Sequence, residues 1–335
     1  MTFAGDPLEA RATVRRAVED GLADLPHDVI VLVGVSGGAD SLALARAAGE
    51  LDRRVAAGII DHGLQPDSAE VAQTAAHACA EMGLDPVIVE RVQVSATGVG
   101  PEAAAREARR VALVDIADRL GASAILLAHT RDDQAETVLL RLARGSGARS
   151  LAAMAPVAGR WRRPLLDIPR DVVRASVADL STWEDPHNDD PAYARTRVRH
   201  GALPALTDAL GPDVVSGLAR SARMLGDDAE ALEALARESA RALVDAEGTL
   251  DVVALAALPR ALRTRIIRDA AIAAGCPAGS LTSAHIDRVE VLVTDWHGQG
   301  GVDLPGGLAG ERAYGRLAIR RVPPVAERRR HDREE

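Results

Sequence analysis

A short glycine-rich segment carries the clearest chemical signal in the sequence. An apolar run at residues 31–35 is followed by two serines, two adjacent glycines and an aspartate. Adjacent glycines let the backbone turn sharply and bring several N–H groups to one ligand, and a helix beginning there adds the positive end of its dipole. We therefore predict a phosphate-binding loop that contains Asp40, an oxygen ligand for Mg²⁺. The predicted loop comprises Ser36, Gly37, Gly38, Ala39, Asp40 and Ser41.

Two further groups of polar residues follow apolar runs. Asp61 and His62 follow one run, and His129 follows another, with Asp133 and Glu136 three residues apart shortly after it. If residues 133–143 form a helix, its apolar positions define one face and the two carboxylates lie together on a different face. We expect Asp133 and Glu136 to be exposed there, at the carboxyl ends of the strands and near His129.

The spacing of apolar residues predicts the elements that position these groups. Short apolar runs near residues 29–33, 55–60, 86–89 and 124–128 are typical of buried parallel strands. Segments with helical spacing of apolar residues lie between these runs. The pattern predicts an α/β fold with a doubly wound, mostly parallel sheet, whose ligands bind at the carboxyl ends of the strands.

The sequence also predicts the domain organisation. We expect a catalytic domain at residues 1–204, a helical connector at 205–245, a smaller C-terminal domain at 246–323 and a disordered, charged tail at 324–335.

Composition excludes several classes of enzyme. All 40 basic residues are arginine, so Schiff-base, pyridoxal-phosphate and Walker-type P-loop chemistry each lack the lysine they need. The net charge of −9 argues against a general DNA-coating protein. No apolar run is long enough for a membrane span, and the two distant cysteines, Cys79 and Cys276, fit a reducing compartment, so we expect a cytoplasmic protein.

The loop resembles the signature of the N-type ATP pyrophosphatases, the PP-loop superfamily. The segment from His129 to Thr137 resembles the His-x-x-Asp-Asp-Gln-x-Glu-Thr motif of the tRNA(Ile)-lysidine synthetase family. Residues 106–109, 163–166 and 193–200 resemble further segments of that family, although Thr196 replaces a usual asparagine. The resemblance is strong from about residue 29 to residue 204 and weak near residues 304–307.

This resemblance implies a two-step reaction. ATP, bound with Mg²⁺, adenylates the C2 oxygen of the wobble cytidine in the CAU anticodon of an isoleucine tRNA, and L-lysine then displaces AMP. It implies a catalytic role for Asp40, Arg109, His129, Asp133 and Glu136. The nucleotide would also contact Asp61 and His62. Asp133 and Glu136 would bind the ammonium of lysine, and a nearby carboxylate or His129 would accept its proton. The small C-terminal domain at 246–323 would contact the tRNA.

An arginine-rich tract provides a modest sign of RNA binding. Residues 141–200 hold eleven arginines and seven acids, although the whole chain is acidic. We predict that Arg195, Arg197 and Arg199 contact tRNA phosphates. A charged, solvated surface would give the same composition.

Other functions stay open at this point. A tRNA thiolase of the same superfamily would usually have a Cys-x-x-Cys cluster, which this chain lacks, and a small-molecule amide ligase would not need the arginine tract. A non-catalytic nucleotide-binding regulator would leave Asp40, Asp133 and Glu136 without a purpose. The oligomeric state is also open, a homodimer included.

Overall fold

A computed structural model describes residues 6–63, 67–93, 101–145, 147–185 and 189–322, with residues 101–103 as backbone only. The chain forms two compact units, Met1–Gly226 and Asp227–Glu335. The boundary between them falls inside the segment predicted as a connector, within one long helix. The tail predicted at 324–335 lies outside the described residues, and the four predicted domain limits stay predictions.

The first unit contains a six-stranded sheet. Its strands are β1 (Ile30–Val35), β2 (Arg54–Asp61), β3 (Val87–Arg91), β4 (Ala124–Leu126), β5 (Val157–Ala158) and β6 (Trp161–Arg162). They lie in the order β3-β2-β1-β4-β6-β5, and every pair is parallel except β5 with β6. The central strand β1 pairs with β2 through Val31 and Val55 and with β4 through Val31 and Ala124. The carboxyl ends of β1, β2 and β4 therefore meet at one edge.

Helices connect these strands. They are α1 (Pro7–Asp20), α2 (Ala39–Gly49), α3 (Ser68–Glu81), α4 (Pro101–Leu120), α5 (Arg131–Leu142), α6 (Ala148–Leu151), α7 (Arg170–Ala175), α8 (Ala194–Arg197), a π-helical segment (Val198–Ala202), α9 (Leu203–Leu210) and α10 (Val214–Arg241), which continues past the unit boundary.

Both faces of the sheet are covered, as the predicted fold requires. Side chains alternate along β1, so Val31 and Val33 pack into a core shared with α1, α2, α3 and α7. Leu32 points to the opposite face and packs with Leu113 and Ile116 of α4. The doubly wound, mostly parallel α/β fold predicted from the apolar runs is confirmed.

The second unit is smaller and has its own core. It contains β7 (Leu250–Asp251), α11 (Val252–Ala257), α12 (Arg260–Ala273), α13 (Ser283–Thr294), β8 (Val302–Leu304), β9 (Leu308–Ala313) and β10 (Arg316–Arg321). The strands form an antiparallel sheet in the order β7-β10-β9-β8. Aliphatic side chains of α11, α12 and α13 pack against this sheet.

Across the residues with described structure, no helix has the length and apolar character needed to cross a bilayer.

Candidate active site

The predicted phosphate loop joins β1 to α2 at the carboxyl edge of the sheet. Gly37 has φ +83°, a conformation that favours glycine and that turns the chain from the strand into the helix. The hydroxyl of Ser41 accepts a hydrogen bond from the Ser36 amide at 3.1 Å and donates one to the Gly38 carbonyl at 2.9 Å. These bonds fix the loop at the start of α2, where backbone N–H groups lack partners within the helix. The geometry fits a phosphate.

Asp40 lies in the first turn of α2 and faces the cleft beside this loop. Its Oδ1 atom is buried and has no hydrogen-bond partner among the described residues. Burial and the charge of Asp133 raise the pKa of Asp40 to about 6. A cation beside Oδ1 would satisfy this atom and favour its ionised form, so Asp40 fits a Mg²⁺ ligand.

The rest of the polar cleft does not form a metal cage of its own. Among the described residues, no group of three or more histidine, cysteine, aspartate or glutamate side chains could hold a metal ion. Mg²⁺ is commonly held by one or two carboxylates together with substrate phosphates. The site therefore fits a metal ion that arrives with a nucleotide.

The cleft itself has a volume of about 390 Å³ and gathers residues from several strand ends. The predicted residues that line it are Ser36, Gly38, Asp40, Ser41, Asp61, His62, Arg109 and His129. Trp183 and Asp185 line it as well, and the Trp183 amide donates to the Gly37 carbonyl at 3.0 Å. Asp133, Glu136 and the three predicted tRNA-binding arginines are not among the lining residues.

Asp61, one of the lining residues, interacts with the chain around the end of β2. Asp61 accepts a hydrogen bond from the Gly63 amide at 2.9 Å, which fixes the turn after the strand. Burial alone would raise the pKa of Asp61, but the hydrogen bonds from Gly63 and Ser68 lower it below its usual value. The carboxylate is therefore ionised, and it stabilises the turn after β2 in the lining of the cleft.

Arg109 and His62 form a pair in the lining of the cleft. Nε of Arg109 lies 3.4 Å from Nε2 of His62. Burial and this guanidinium lower the pKa of His62, so the imidazole is neutral at physiological pH. Arg109 is thus the positively charged member of this pair.

His129 is also neutral. Burial lowers the pKa of His129 to about 3, and its Nδ1 atom is buried without a hydrogen-bond partner among the described residues. A neutral imidazole can exchange a hydrogen bond with a ligand, but a group with so low a pKa is a weak proton acceptor. The idea that His129 takes a proton therefore loses support.

The expectation that Asp133 and Glu136 are exposed is wrong. Asp133 is 8% exposed and Glu136 is fully buried. Thr130 and Asp133 form a reciprocal cap at the start of α5, which turns Asp133 inward. The polar face of α5 is covered by α8 and the π-helical segment, a contact that helical periodicity cannot reveal.

Three arginines surround these carboxylates, and we call the five side chains the arginine–carboxylate cluster. It consists of Asp133, Glu136, Arg170, Arg195 and Arg199. Arg170 Nη2 lies 2.7 Å from Asp133 Oδ1 and 3.0 Å from Glu136 Oε1. Arg195 Nε lies 2.7 Å from Glu136 Oε2, and Arg199 Nε lies 2.8 Å from Glu136 Oε1.

Charge pairing within the cluster keeps both carboxylates ionised. Burial alone would raise the pKa of Asp133, but Arg170 and Arg195 outweigh it and hold the pKa far below its usual value. The pKa of Glu136 is lowered in the same way against its burial, chiefly by the hydrogen bond from Arg199. The cluster therefore holds three positive charges against two negative charges.

Arg195 and Arg199 thus have partners within the protein, and contact with tRNA phosphates stays a prediction. Arg197 points elsewhere and donates to the carbonyls of Pro191, at 2.6 Å, and Ala192, at 2.8 Å, on the exposed turn before α8. The structure brings Arg195 and Arg199 together but separates Arg197 from them.

Arg170 was missed as a site residue. It is the first residue of α7, and its Nε also lies 3.9 Å from Asp40 Oδ2. The available signal was its position four residues after the Arg163-Pro-Leu-Leu166 motif, but only the fold shows that it faces α5 and the phosphate loop.

Comparisons with known proteins agree with this architecture. A family described as "PP-loop domain" matches residues 10–206, and one described as "TilS substrate binding domain" matches residues 250–318. A solved structure of the U34-tRNA thiolase NcsA from Methanococcus maripaludis has a TM-score of 0.55 at 20% identity, covering 66% of this chain and 80% of that one. At this identity the likeness concerns the fold alone.

Curated relatives are much closer in sequence. A tRNA(Ile)-lysidine synthase from Thermobifida fusca is 54% identical over 92% of this chain and 97% of its own length. A tRNA(Ile)-lysidine synthase from Streptomyces coelicolor is 52% identical over 88% of this chain and 86% of its own. Together, the PP-loop fold and the site define an ATP-dependent ligase. The chain belongs to the tRNA(Ile)-lysidine synthase family.

Proposed function

We propose that this protein uses ATP to join L-lysine to the wobble cytidine of an isoleucine tRNA with a CAU anticodon. One observation carries the proposal: the phosphate loop, Asp40 and His129 open onto a single cleft, and the arginine–carboxylate cluster adjoins Asp40 through Arg170. The relatives, which are named tRNA(Ile)-lysidine synthases and are covered over most of their length, support the same substrate. Lysine, Mg²⁺, a homodimer and action in the cytoplasm are parts of this proposal.

The first step transfers adenylate. The C2 oxygen of the cytidine attacks the α-phosphorus of ATP, and the bond from that phosphorus to the pyrophosphate oxygen breaks. The loop at Ser36–Ser41 and the start of α2 would hold the departing phosphates. When bound at Asp40, Mg²⁺ would offset the negative charge that develops on pyrophosphate. Arg109, which also lines the cleft, adds a positive charge there.

The second step transfers lysine. The ε-amine attacks C2, the bond from C2 to the adenylate oxygen breaks, and AMP leaves. Only the neutral ε-amine is a nucleophile, so the lysine ammonium releases its proton to the bulk solution before the attack. His129 lines the cleft and would orient the base or the amine by hydrogen bonding.

Asp133 and Glu136 suit the ammonium groups of lysine in charge, but three arginines hold them. Asp133 is close enough to Asp40 to raise the pKa of that carboxyl, so the cluster lies near the reacting groups. Both proposed roles, lysine binding by the carboxylates and phosphate binding by Arg195 and Arg199, can hold together. This requires Arg195 and Arg199 to leave the carboxylates for tRNA phosphates when tRNA binds. The carboxylates then become available to lysine.

The structure disfavours the thiolase alternative. Both cysteines are buried, and burial raises the pKa of Cys79 to about 11 and also raises that of Cys276. Neither thiol is suited to carry sulfur as a reactive thiolate.

One assay tests the proposed function. The purified protein is incubated with ATP, Mg²⁺, lysine and a tRNA(Ile) transcript with a CAU anticodon, and lysine incorporation into the tRNA is measured with AMP and pyrophosphate release. We expect lysine incorporation to require all four components. A matched transcript with the wobble cytidine replaced by uridine should remain unmodified. Incorporation without ATP, or equal modification of both transcripts, would overturn the proposal.

A further inference from the structure

The second unit keeps its aromatic residues on its surface. Residues 227–335 contain two aromatic side chains, Trp296 and Tyr314, while the core of this unit is aliphatic. Trp296 is 44% exposed, and the guanidinium of Arg312 lies over its ring at 4.7 Å. Tyr314 is fully exposed. Its ring therefore has both faces open, whereas the ring of Trp296 is partly covered.

Tyr314 occupies a backbone position that a tyrosine does not favour. It is the first of two residues that join β9 to β10, whose ends pair through Ala313 and Arg316. Tyr314 has φ +50° and Gly315 has φ +76°. A two-residue turn with positive φ at both positions favours asparagine, aspartate or glycine at the first position. Neither packing nor turn geometry accounts for a tyrosine here, and strained backbone often marks a functional position.

The hairpin that carries Tyr314 is strongly basic. Residues 308–321 contain four arginines and one glutamate, in a chain with a net charge of −9. Arg312 donates to the Leu292 carbonyl at 2.9 Å, and Arg316 to the Thr249 carbonyl at 2.8 Å, so these two stabilise the unit. Arg320 and Arg321 are exposed at the end of β10 away from Tyr314, where they pair with Ala309 and Leu308 of β9. This charge complements nucleic acid, and an open aromatic ring is a surface on which a base can stack.

We propose that Tyr314 binds the tRNA substrate by stacking on an unpaired base, with Arg320 adding electrostatic attraction to the phosphates. This inference rests on the proposed function, because it takes tRNA as the partner. It assigns to the β9–β10 hairpin a contact with tRNA that extends from Tyr314 at the turn to Arg320 at the other end of β10.

Three variants of the full-length protein test the stacking contact. Tyr314→Asn removes the ring and places a favoured residue in the turn, Tyr314→Phe retains the ring, and Arg320→Ala removes one charge. Affinity for the tRNA(Ile) transcript is measured by fluorescence anisotropy over a range of salt concentrations, and thermal unfolding is measured in parallel.

We expect Tyr314→Asn to weaken tRNA binding roughly 5- to 100-fold, the effect of losing one stacked base. Its melting temperature should be unchanged or higher, and the slope of log K against log[salt] should match that of the original protein. Tyr314→Phe should bind within about twofold of the original, as one stacking platform replaces another. Arg320→Ala should instead reduce the salt slope by about 0.7–0.9. At saturating tRNA, Tyr314→Asn should keep its kcat and show a raised KM for tRNA.

Several results would overturn the stacking contact. These are unchanged tRNA affinity in Tyr314→Asn, an equal loss in Tyr314→Phe, or loss of self-association in Tyr314→Asn without loss of tRNA affinity, which would assign the ring to a protein partner. A failure of the proposed function looks different, because the unsubstituted protein would then fail to attach lysine to the tRNA.

Discussion

The Nε atom of Arg170 lies 3.9 Å from Oδ2 of Asp40. Through its Nη2 atom the same guanidinium lies 2.7 Å from Asp133 Oδ1. Arg170 therefore connects the carboxylate that suits a metal ion with the pair of carboxylates that suits an amine. A change in charge at Asp40 therefore affects Asp133 through Arg170, and a change in charge at Asp133 affects Asp40.

Asp40→Asn should abolish pyrophosphate release while leaving tRNA affinity nearly unchanged. The substitution removes a negative charge and one oxygen ligand, so Mg²⁺ would lose its protein contact beside the phosphates. Rapid-quench measurement of pyrophosphate and equilibrium tRNA binding provide the two readouts. Normal turnover by this variant would remove Asp40 from the metal site.

The same substitution should stabilise the metal-free protein near neutral pH. The pKa of Asp40 is raised from 3.8 to about 6 in the folded state, so the ionised carboxylate makes folding less favourable as pH rises through about 4 to 6. Two pKa units correspond to at most about 3 kcal/mol at pH 7. Denaturant unfolding without Mg²⁺ should show Asp40→Asn to be more stable at pH 7 and no more stable at pH 4. Equal stability of the two proteins at pH 7 would contradict the raised pKa.

Asp133→Asn and Glu136→Gln should slow lysine transfer more than adenylation. If these carboxylates bind an ammonium group, their loss raises the KM for lysine, and adenylated tRNA accumulates. Removing one partner of a buried ion pair also destabilises the fold by about 3–5 kcal/mol, so the ratio of the two rates within each variant is the useful measure. Asp115→Asn, on the exposed side of α4, is the matched control. Equal losses in both steps would place the carboxylates in the ATP site.

Alanine substitutions at Arg195, Arg197 and Arg199 should each reveal whether that side chain contacts a phosphate. A true contact reduces the slope of log K for tRNA against log[salt] by about 0.7–0.9 when it is removed. Arg15→Ala, on the exposed face of α1, should leave the slope unchanged. If all three variants keep the original slope, the arginines are structural, as their contacts within the protein would then suggest.

Lysine and tRNA should bind cooperatively if the arginines exchange partners. In equilibrium dialysis with radiolabelled lysine, tRNA should increase lysine affinity, by about 5- to 150-fold for a coupling of ordinary size. Arg199→Ala should bind lysine more tightly than the original protein when tRNA is absent, because Glu136 then loses one competitor. Lysine affinity that is independent of tRNA in both proteins would exclude the exchange.

The sequence predicted the site where its signals are local. The glycine pair at residues 37 and 38 sets a turn within a few residues, and parallel strands bring Asp61 and His129 to the same edge. The burial of Glu136 depends instead on arginines 34 to 63 residues away. Periodicity identifies the apolar face of α5, but it cannot show which later segment covers the polar face.

Tyr314 illustrates the same limit at a turn. Gly306 and Gly307, with φ +83° and +70°, form the turn between β8 and β9, where glycines are the expected residues. The next turn of this sheet, between β9 and β10, lies at Tyr314 and Gly315. Such turns favour asparagine or aspartate at the first position, so a tyrosine there does not indicate a turn in the sequence.

The strand order also has a consequence for how the protein is made. The phosphate loop follows β1, and His129 follows β4, the strand that pairs with β1 about 90 residues later in the chain. Pairing across so long a separation must overcome the entropy of closing the intervening loop, and it forms slowly compared with local helices. A nascent chain that has emerged only as far as α3 already contains the whole glycine-rich segment. It lacks Arg109 and His129, which complete the lining of the cleft. Nascent chains that end before β4 are therefore unable to form the complete nucleotide site, which requires the pairing of β4 with β1.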